Sequence, residues 1–429
     1  MISHAERPPA PVGSPAPPSV PSRRQALRFW LKLGCISFGG PAGQIAIMHD
    51  ELVERRGWIS EKRFLHALSF CFALPGPEAQ QLATFAGWRL HGVRGALAAG
   101  SLFVLPSFVL ICLLAFAYVE YGTVAAVSGI VRGLGGAVVG LVLAAVLRVG
   151  SRVARTPVAV AVAVTAFGIL MLGVPFPLIV IAAAVAGLLL DRLRPGSFRG
   201  LGHGADPGTD DEDRTVRPGT VRRVAGMLCV WLVPVAGLLL AGGVVADLAG
   251  FFSLTALITF GGAYAVLPFV ADQAVNRFGW LTTRDMVAGL ALGETTPGPL
   301  IMVNTFVGFL AGWTTHQSYL WAMAGAGVAT LCTFAPSFVF ILIGAPLIDR
   351  VPEQGAVASA LAGISVAVVG VIAGLAVFVG RHVFVLDGDP DWLAIVLAAG
   401  AFLAMWRLRI NVVFIDGACA LAGLTASFL

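Results

Sequence analysis

Apolar residues run along this chain in long stretches separated by short polar turns. About thirteen of these stretches approach the ~20 residues that a bilayer-crossing helix needs. In the first half they are Phe29–Met48, Phe64–Trp88, Gly95–Tyr118, Val124–Leu147, Pro157–Leu172 and Val174–Leu190. A polar loop, Asp191–Arg223, follows with seven Arg and the acidic run Asp210–Asp213. A lone stretch, Val224–Val245, then leads into Phe251–Val270, Met286–Trp313, Leu320–Ile348, Ala356–Val379, Trp392–Trp406 and Ile410–Leu429. The pattern predicts an all-α polytopic membrane protein. It divides into a tail (1–23), an N-terminal membrane unit (24–190), a loop (191–223), a linking helix (224–250) and a C-terminal membrane unit (251–429). The tail is rich in Pro, Ala and Ser and is expected to be disordered. It lacks a short apolar core with a cleavage site, so it does not read as a signal peptide.

The two membrane units repeat. FGG at Phe38–Gly40 recurs at Phe260–Gly262 (260 − 38 = 222). RGW at Arg56–Trp58 recurs as FGW at Phe278–Trp280, and PGP at Pro75–Pro77 recurs at Pro297–Pro299, both at the same offset. PSF at Pro106–Phe108 recurs at Pro336–Phe338 (336 − 106 = 230), as does AVVG at Ala137–Gly140 and Ala367–Gly370. Basic residues are enriched in cytoplasmic loops. Arg23, Arg24 and Arg28 place the N-terminus inside, and Arg89, Arg94, Arg148, Arg152 and Arg155 mark further inner loops. The base-free turns at Glu120–Thr123 and Gly173 read as outside. The lone stretch then sets the second unit in from the opposite side, and the C-terminus ends outside. Thr314–Ser318 and Asp387–Asp391 fall outside and Arg407 with Arg409 inside; Arg381–His382 is the one departure from the rule. The expectation is an inverted-topology repeat, with the units related by a twofold axis in the membrane plane. The first two stretches of each unit are either crossings or re-entrant hairpins, and both give the same parity.

Composition agrees. Of 429 residues, 58% are hydrophobic and only 12% charged, with a mean hydropathy of +0.88. A soluble domain carries about twice that share of charge, so lipid must solvate most of the exterior. The net charge of +5 suits a cytoplasmic face better than nucleic-acid binding. Cys35, Cys71, Cys112, Cys229, Cys332 and Cys419 lie in apolar runs without a CxxC pair and read as buried free thiols.

The FGG and PGP breaks are where chemistry could sit. A helix cannot run through Pro75-Gly76-Pro77, so a new half-helix is expected to begin near Glu78, its first N–H groups inside the membrane without intrahelical acceptors. With the helix dipole such a terminus favours an anion; the plain alternative is a proline kink satisfied by neighbouring helices. Polar residues gather at the breaks: Ser37, Gln44, Glu78, Gln80, Gln81 and Thr84 in the first unit, and Thr259, Tyr264, Glu294, Thr295, Thr296 and Asn304 in the second. Their amides and hydroxyls suit an oxyanion. Glu78 and Glu294 are candidates for proton coupling: neutral, an acid donates to the substrate; ionised, it repels it. Neither has an acidic counterpart, because 78 + 222 is Leu300 and 294 − 222 is Phe72. The alternative for each is a helix-terminus acid near the interface. Lys32 and Arg56 are candidate countercharges, although Lys32 could also snorkel to the surface. His49–Arg63 reads as an interfacial connector. No HExxH, GxSxG or P-loop is present and no His pair has metal-ligand spacing, which argues against an intramembrane enzyme. A channel remains the other competing class.

Three stretches, FGGPAGQIAIMHDELVERRGWIS, LPGPEAQQLATFAGWRLHG and ETTPGPLIMVNTFVGFLAGW, resemble the chromate ion transporter family in its long two-domain form, over residues 24–429. The resemblance implies a bacterial inner-membrane protein that exports chromate, uses the proton motive force and confers chromate resistance, with sulfate as competitor. It implies roles for Gly39, Gly40, Gln44, Arg56, Trp58, Pro75, Gly76, Pro77, Glu78, Gln81, Gly261, Gly262, Glu294, Pro297 and Gly298. The partners expected are a chromate or sulfate anion, protons and the lipid bilayer, with a homodimer left open; no cofactor, metal or nucleic acid is expected.

Overall fold

The computed structural model describes residues 21–38, 40–193, 220–345, 356–386 and 388–428. The N-terminal tail to residue 20, Gly39 and the acidic run Asp210–Asp213 lie outside them. Sixteen α-helices form among the described residues. The first unit holds α1 (Arg23–Ile36), α2 (Gly40–His49) with a π-helical extension (Asp50–Arg55), α3 (Glu61–Ala73), α4 (Glu78–Tyr121), α5 (Ala125–Val153), α6 (Pro157–Met171) and α7 (Phe176–Leu193). After α8 (Thr220–Ala241) the series repeats as α9 (Gly243–Ile258), α10 (Ala263–Asp272) with a π extension (Gln273–Arg277), α11 (Thr283–Thr295), a 3₁₀ turn (Leu300–Met302) running into α12 (Val303–His316), α13 (Tyr319–Gly344), α14 (Ala356–Val383), α15 (Trp392–Trp406) and α16 (Val412–Ala426). A two-residue antiparallel pair, Val385–Leu386 with Asp389–Pro390, lies between α14 and α15. Five helices are long and apolar enough to cross a membrane, and several shorter apolar helices accompany them. Outward-facing residues such as Leu113, Val164, Ile181, Leu240 and Leu320 are exposed, as a lipid-solvated surface requires.

The first two apolar stretches of each unit are re-entrant hairpins. Helix α1 enters from one side (the near side), stops at FGG, and α2 with its π extension runs back beside it. Successive contacts trace the return: Gln44 donates to the Ser37 carbonyl, Lys32 meets Glu51, and Arg56 and Trp58 lie against Phe29. Helix α3 starts again at the near side, where Glu61 meets His49, and stops at PGP. Helix α4 is two arms joined at non-helical His91 and Gly92. Its first arm, 78–90, returns to the near side, where the His91 ring pairs with the Pro21 carbonyl at 3.0 Å.

The second arm of α4, 93–121, settles the topology. At 1.5 Å per residue it spans roughly 43 Å. At its far end Tyr118 donates to Asp285 at 2.7 Å, and Arg284, beside Asp285, donates to Ser128 at 2.6 Å. Asp285 belongs to the N-terminal cap of α11, so the second unit's hairpins open on the opposite side from the first unit's. The repeat is inverted, as its sequence predicts.

The long helices exchange partners between units. Helix α5 packs against α15 and α16, and its counterpart α14 packs against α6 and α7. Glycine makes both contacts close: a Cβ on Gly133 would strike Cys419, and one on Gly363, its equivalent at offset 230, would strike Ala183. This is close packing by small residues of the kind that holds membrane helices together where no hydrophobic force acts between them. Arg132 on α5 adds a two-pronged pair to Asp391, at 2.6 and 2.8 Å, just before α15. All six cysteines are free, as expected, but Cys35 and Cys229 are exposed, and only the other four are buried. An apolar run facing lipid is not an interior one.

A side chain at Gly140 would meet the Ala398 carbonyl and, at 2.8 Å, the Phe402 nitrogen. Gly140→Leu is therefore expected to force α5 from α15 and cost about 1–3 kcal/mol or more. Gly168→Leu, with nothing within 4 Å, should leave thermal stability in detergent near wild type. The Asp391 carboxyl is held below the usual carboxylate range by its bonds to Arg132. Its contribution is complete above the ordinary range and is lost as pH falls through the lowered value. Asp391→Asn should flatten that acid limb of a melting-temperature profile.

Candidate functional site

At each break a glycine takes a backbone conformation with positive φ that other residues rarely adopt: +122° at Gly76 and +111° at the equivalent Gly298. The two PGP breaks are tied to the FGG ends of the opposite unit. Gly76 N–H donates to the Thr259 carbonyl and Gly298 N–H to the Ser37 carbonyl, each at 2.8 Å. Since 76 + 222 is 298 and 37 + 222 is 259, the two bonds exchange under the internal symmetry. Contacts that interchange in this way define a twofold axis. Side chains repeat the exchange: Ser107 donates to the Pro297 carbonyl, while Ser337, its equivalent at offset 230, sits beside Gly76 and accepts from Gln81 at 3.5 Å.

A small pocket lies on that axis, lined by Pro41, Gln44, Pro77, Glu78, Ala79, Ala263, Pro299, Leu300 and Ile301. Eight of these nine are symmetry mates at offset 222: Pro41 with Ala263, Pro77 with Pro299, Glu78 with Leu300, and Ala79 with Ile301. Each of the four half-helices thus contributes its N-terminal turn. The first intrahelical acceptances begin only at Gln81 N–H to Pro77, Ala265 N–H to Gly262, and Met302 N–H to Pro299. Four positive dipole ends therefore meet at one point inside the membrane. The interior volume is about 10 Å³, room for about one water molecule and too small for a tetrahedral oxyanion as it stands.

Of the residues singled out in the sequence, Gln44, Pro77 and Glu78 line the pocket directly. Gln44 Nε2 donates to the Gly298 carbonyl at 2.5 Å and the Ser37 carbonyl at 3.3 Å. Its buried Oε1 has no hydrogen-bond partner among the described residues. Glu78 is 4% exposed, and its Oε1 lies 3.5 Å from where a Cβ would stand on Gly262. Gly40, Gly76, Gly262 and Gly298 shape the turns around the pocket; Gly261 packs instead on Val368. Ser37 contributes its carbonyl, while its hydroxyl donates to Leu33 O.

Other residues are near but turned away. Gln80 donates to Thr84, Asn304 to Thr333, and the Thr295 hydroxyl to its own helix. Thr296 is buried at the end of α11. Lys32 and Arg56 are far from the pocket: both face Glu51 near the hairpin entrance, at 3.9 and 2.9 Å, and Arg56 also covers Phe29 and Trp58. In the second unit Phe278 takes the place of Arg56 and stacks on Trp280 at 4.2 Å. Glu294 does not line the pocket; it accepts from Tyr264 at 2.6 Å. Gly39 lies outside the described residues. Ser107, Ser337 and Asp416 were not singled out. The repeated PSF could have pointed to both serines, and a lone acid in an apolar stretch to Asp416.

The sequence pattern of the family described as "Chromate transporter" matches residues 24–188 and 246–424. A chromate transport protein of Pseudomonas aeruginosa is 32% identical over 423 residues, 95% of this chain and 93% of the relative. A probable chromate transport protein of Synechococcus elongatus is 27% identical over 397 residues, covering 90% and 91%. A chromate transport protein of Cupriavidus metallidurans is 26% identical over 422 residues, covering 94% and 93%. No solved structure matches the chain. With the family pattern matched in both membrane units and these relatives aligned along nearly the whole chain, this protein belongs to the chromate transporter family.

Proposed function

We propose that this protein exports chromate across a bacterial inner membrane by alternating access at the on-axis pocket, driven by the proton motive force, and so confers chromate resistance. The observation that carries the reading is the convergence of four half-helix N-termini, two from each unit, on one small pocket. Such termini attract a compact oxyanion without needing a fixed basic side chain. The reciprocal Gly76–Thr259 and Gly298–Ser37 bonds are equal on the two sides. Breaking one set and keeping the other would open the pocket to one face at a time. The basic residues Arg23, Arg24 and Arg28 in the first turns of α1 favour a cytoplasmic near side and an external C-terminus. Sulfate, also a tetrahedral dianion, fits the same features and is the expected competitor.

Glu78 supplies a means of coupling. Its ionised carboxylate occupies the positive pocket that the substrate needs, so a dianion and that charge exclude one another. Protonation removes the repulsion and adds a donor. A dianion accompanied by one proton still carries one negative charge, so the membrane-potential part of the proton motive force drives it outward with about 2.3 kcal/mol per 100 mV, while an acid-outside pH gradient opposes the accompanying proton.

Reconstituted vesicles with a positive interior should accumulate labelled chromate, faster when the loading side is acidified, with sulfate competing. No uptake under any imposed potential would refute transport. Flux far above carrier rates would favour a channel. Glu78→Gln should keep potential-driven uptake and lose its pH dependence; a pH response equal to wild type would remove Glu78 from coupling. Gly76→Leu brings about 1–3 kcal/mol of backbone strain and would place its Cβ 2.5 Å from Ser337 Oγ. It should abolish uptake while the protein remains in the membrane, and wild-type flux would mean that the break is only a kink.

A further inference from the structure

Tyr264, Glu294 and Asp416 form a buried polar trio behind the pocket. Tyr264 Oη donates to Glu294 Oε1 at 2.6 Å. Asp416, on α16, is 2% exposed and interacts electrostatically with both Glu294 and Tyr264. Its Oδ2 is fully buried and has no hydrogen-bond partner among the described residues. Tyr264 follows the pocket-lining Ala263, and Glu294 precedes by three residues the PGP break whose Pro299 lines the same pocket. The trio is thus fixed to two of the pocket's walls.

The internal symmetry provides a control. Tyr264 corresponds to Ala42 and Glu294 to Phe72 (offset 222). AVAGL at 184–188 aligns with ALAGL at 420–424 (423 − 187 = 236), which makes Val180 the counterpart of Asp416. All three counterparts are apolar. The first unit folds the same hairpins and packs the same helices without any of this polarity, so the fold does not need it. Burying such groups is costly unless they bind something.

Charge identifies what is bound. Arg148, on α5, is the cation that acts on Tyr264 and Glu294. Cys419 lies on Asp416's own helix one turn on. The other elements packed around the trio have their charges elsewhere. Asp391, before α15, is paired with Arg132, Arg381 and His382 lie in the last turn of α14, and Tyr118 of α4 holds Asp285 at the other end of α11. Arg148 is exposed on α5 and acts on Glu294 and not on Asp416, so ionising both carboxylates together would leave uncompensated negative charge in a low-dielectric interior. A single proton cancels it.

We infer that Tyr264, Glu294 and Asp416 form a second, off-axis proton site, loaded and emptied once per transport cycle as the pocket walls move. The inference rests on the proton-coupled reading above. Wild-type and Asp416→Asn proteins reconstituted with an entrapped pH dye provide the test. Chromate–chromate exchange and proton movement per chromate are followed together. The expected result is that Asp416→Asn, altered outside the pocket, still exchanges chromate but carries fewer protons per chromate, and that Tyr264→Phe shifts the ratio the same way. An unchanged ratio in Asp416→Asn overturns this inference alone. Chromate flux without protons in the wild type overturns the coupled reading as well, and flux driven by a sodium gradient instead replaces the proton with sodium. If the variants fail to insert, dicyclohexylcarbodiimide labelling of wild-type protein decides. Labelling of Glu294 or Asp416 that slows as pH rises supports the site, and no labelling at any pH refutes it.

Discussion

A helix interrupted inside hydrocarbon leaves backbone donors and acceptors with no water to satisfy them, and the rest of this architecture follows from how that is met. Each unit breaks two helices at midspan, and each break is completed by the other unit: Gly76 by Thr259, Gly298 by Ser37. Side chains such as Gln44 and Gln81 satisfy some break carbonyls within their own unit, but the Gly76 and Gly298 N–H groups are met from the other unit. The inverted repeat is thus a mutual requirement as well as an inherited duplication, and the exchanged packing of α5 and α14 around the hairpins binds the units in the same reciprocal way. The donors left over after this exchange are the first N–H groups of the half-helices, and they are the ones that meet at the pocket.

The departures from symmetry carry the functional differences. Transport of one substrate through a symmetric frame needs no direction, but coupling does. Glu78 faces Leu300 across the axis; Tyr264, Glu294 and Asp416 face nothing comparable in the first unit. Arg56 on aromatic rings at the near side is replaced by Phe278 at the far side, in keeping with a basic near face. The scaffold is duplicated and the titratable chemistry is not.

Much of this was legible in the chain. Two constant offsets gave the duplication, and loop charges gave the inversion, because both depend on local sequence. The half-helix starting at Glu78 followed from what proline does to a helix. What could not be read was whether Phe29–Met48 and Phe64–Trp88 cross or turn back, since length and hydropathy are the same for both and only contacts such as Arg56 on Phe29 decide. Lys32 and Arg56 looked like countercharges because a lone base in an apolar run invites that role, yet Glu51, nineteen residues from Lys32 in sequence (51 − 32), turns out to be the neighbour of both in space. Asp416 shows in the sequence only as a lone acid in an apolar stretch, because the partners that give it a role come from helices more than one hundred residues away.

The central claim is that the anion binds on the internal axis, held by backbone at four helix ends. Chromium scatters X-rays anomalously, so crystals grown or soaked in chromate report its place without any assumption about mechanism. The account predicts one anomalous peak among Pro41, Gln44, Glu78, Ala263 and Leu300, in a pocket widened from its present volume. A peak at Arg148 or at the Arg56 entrance, with the axial pocket unwidened, would contradict it.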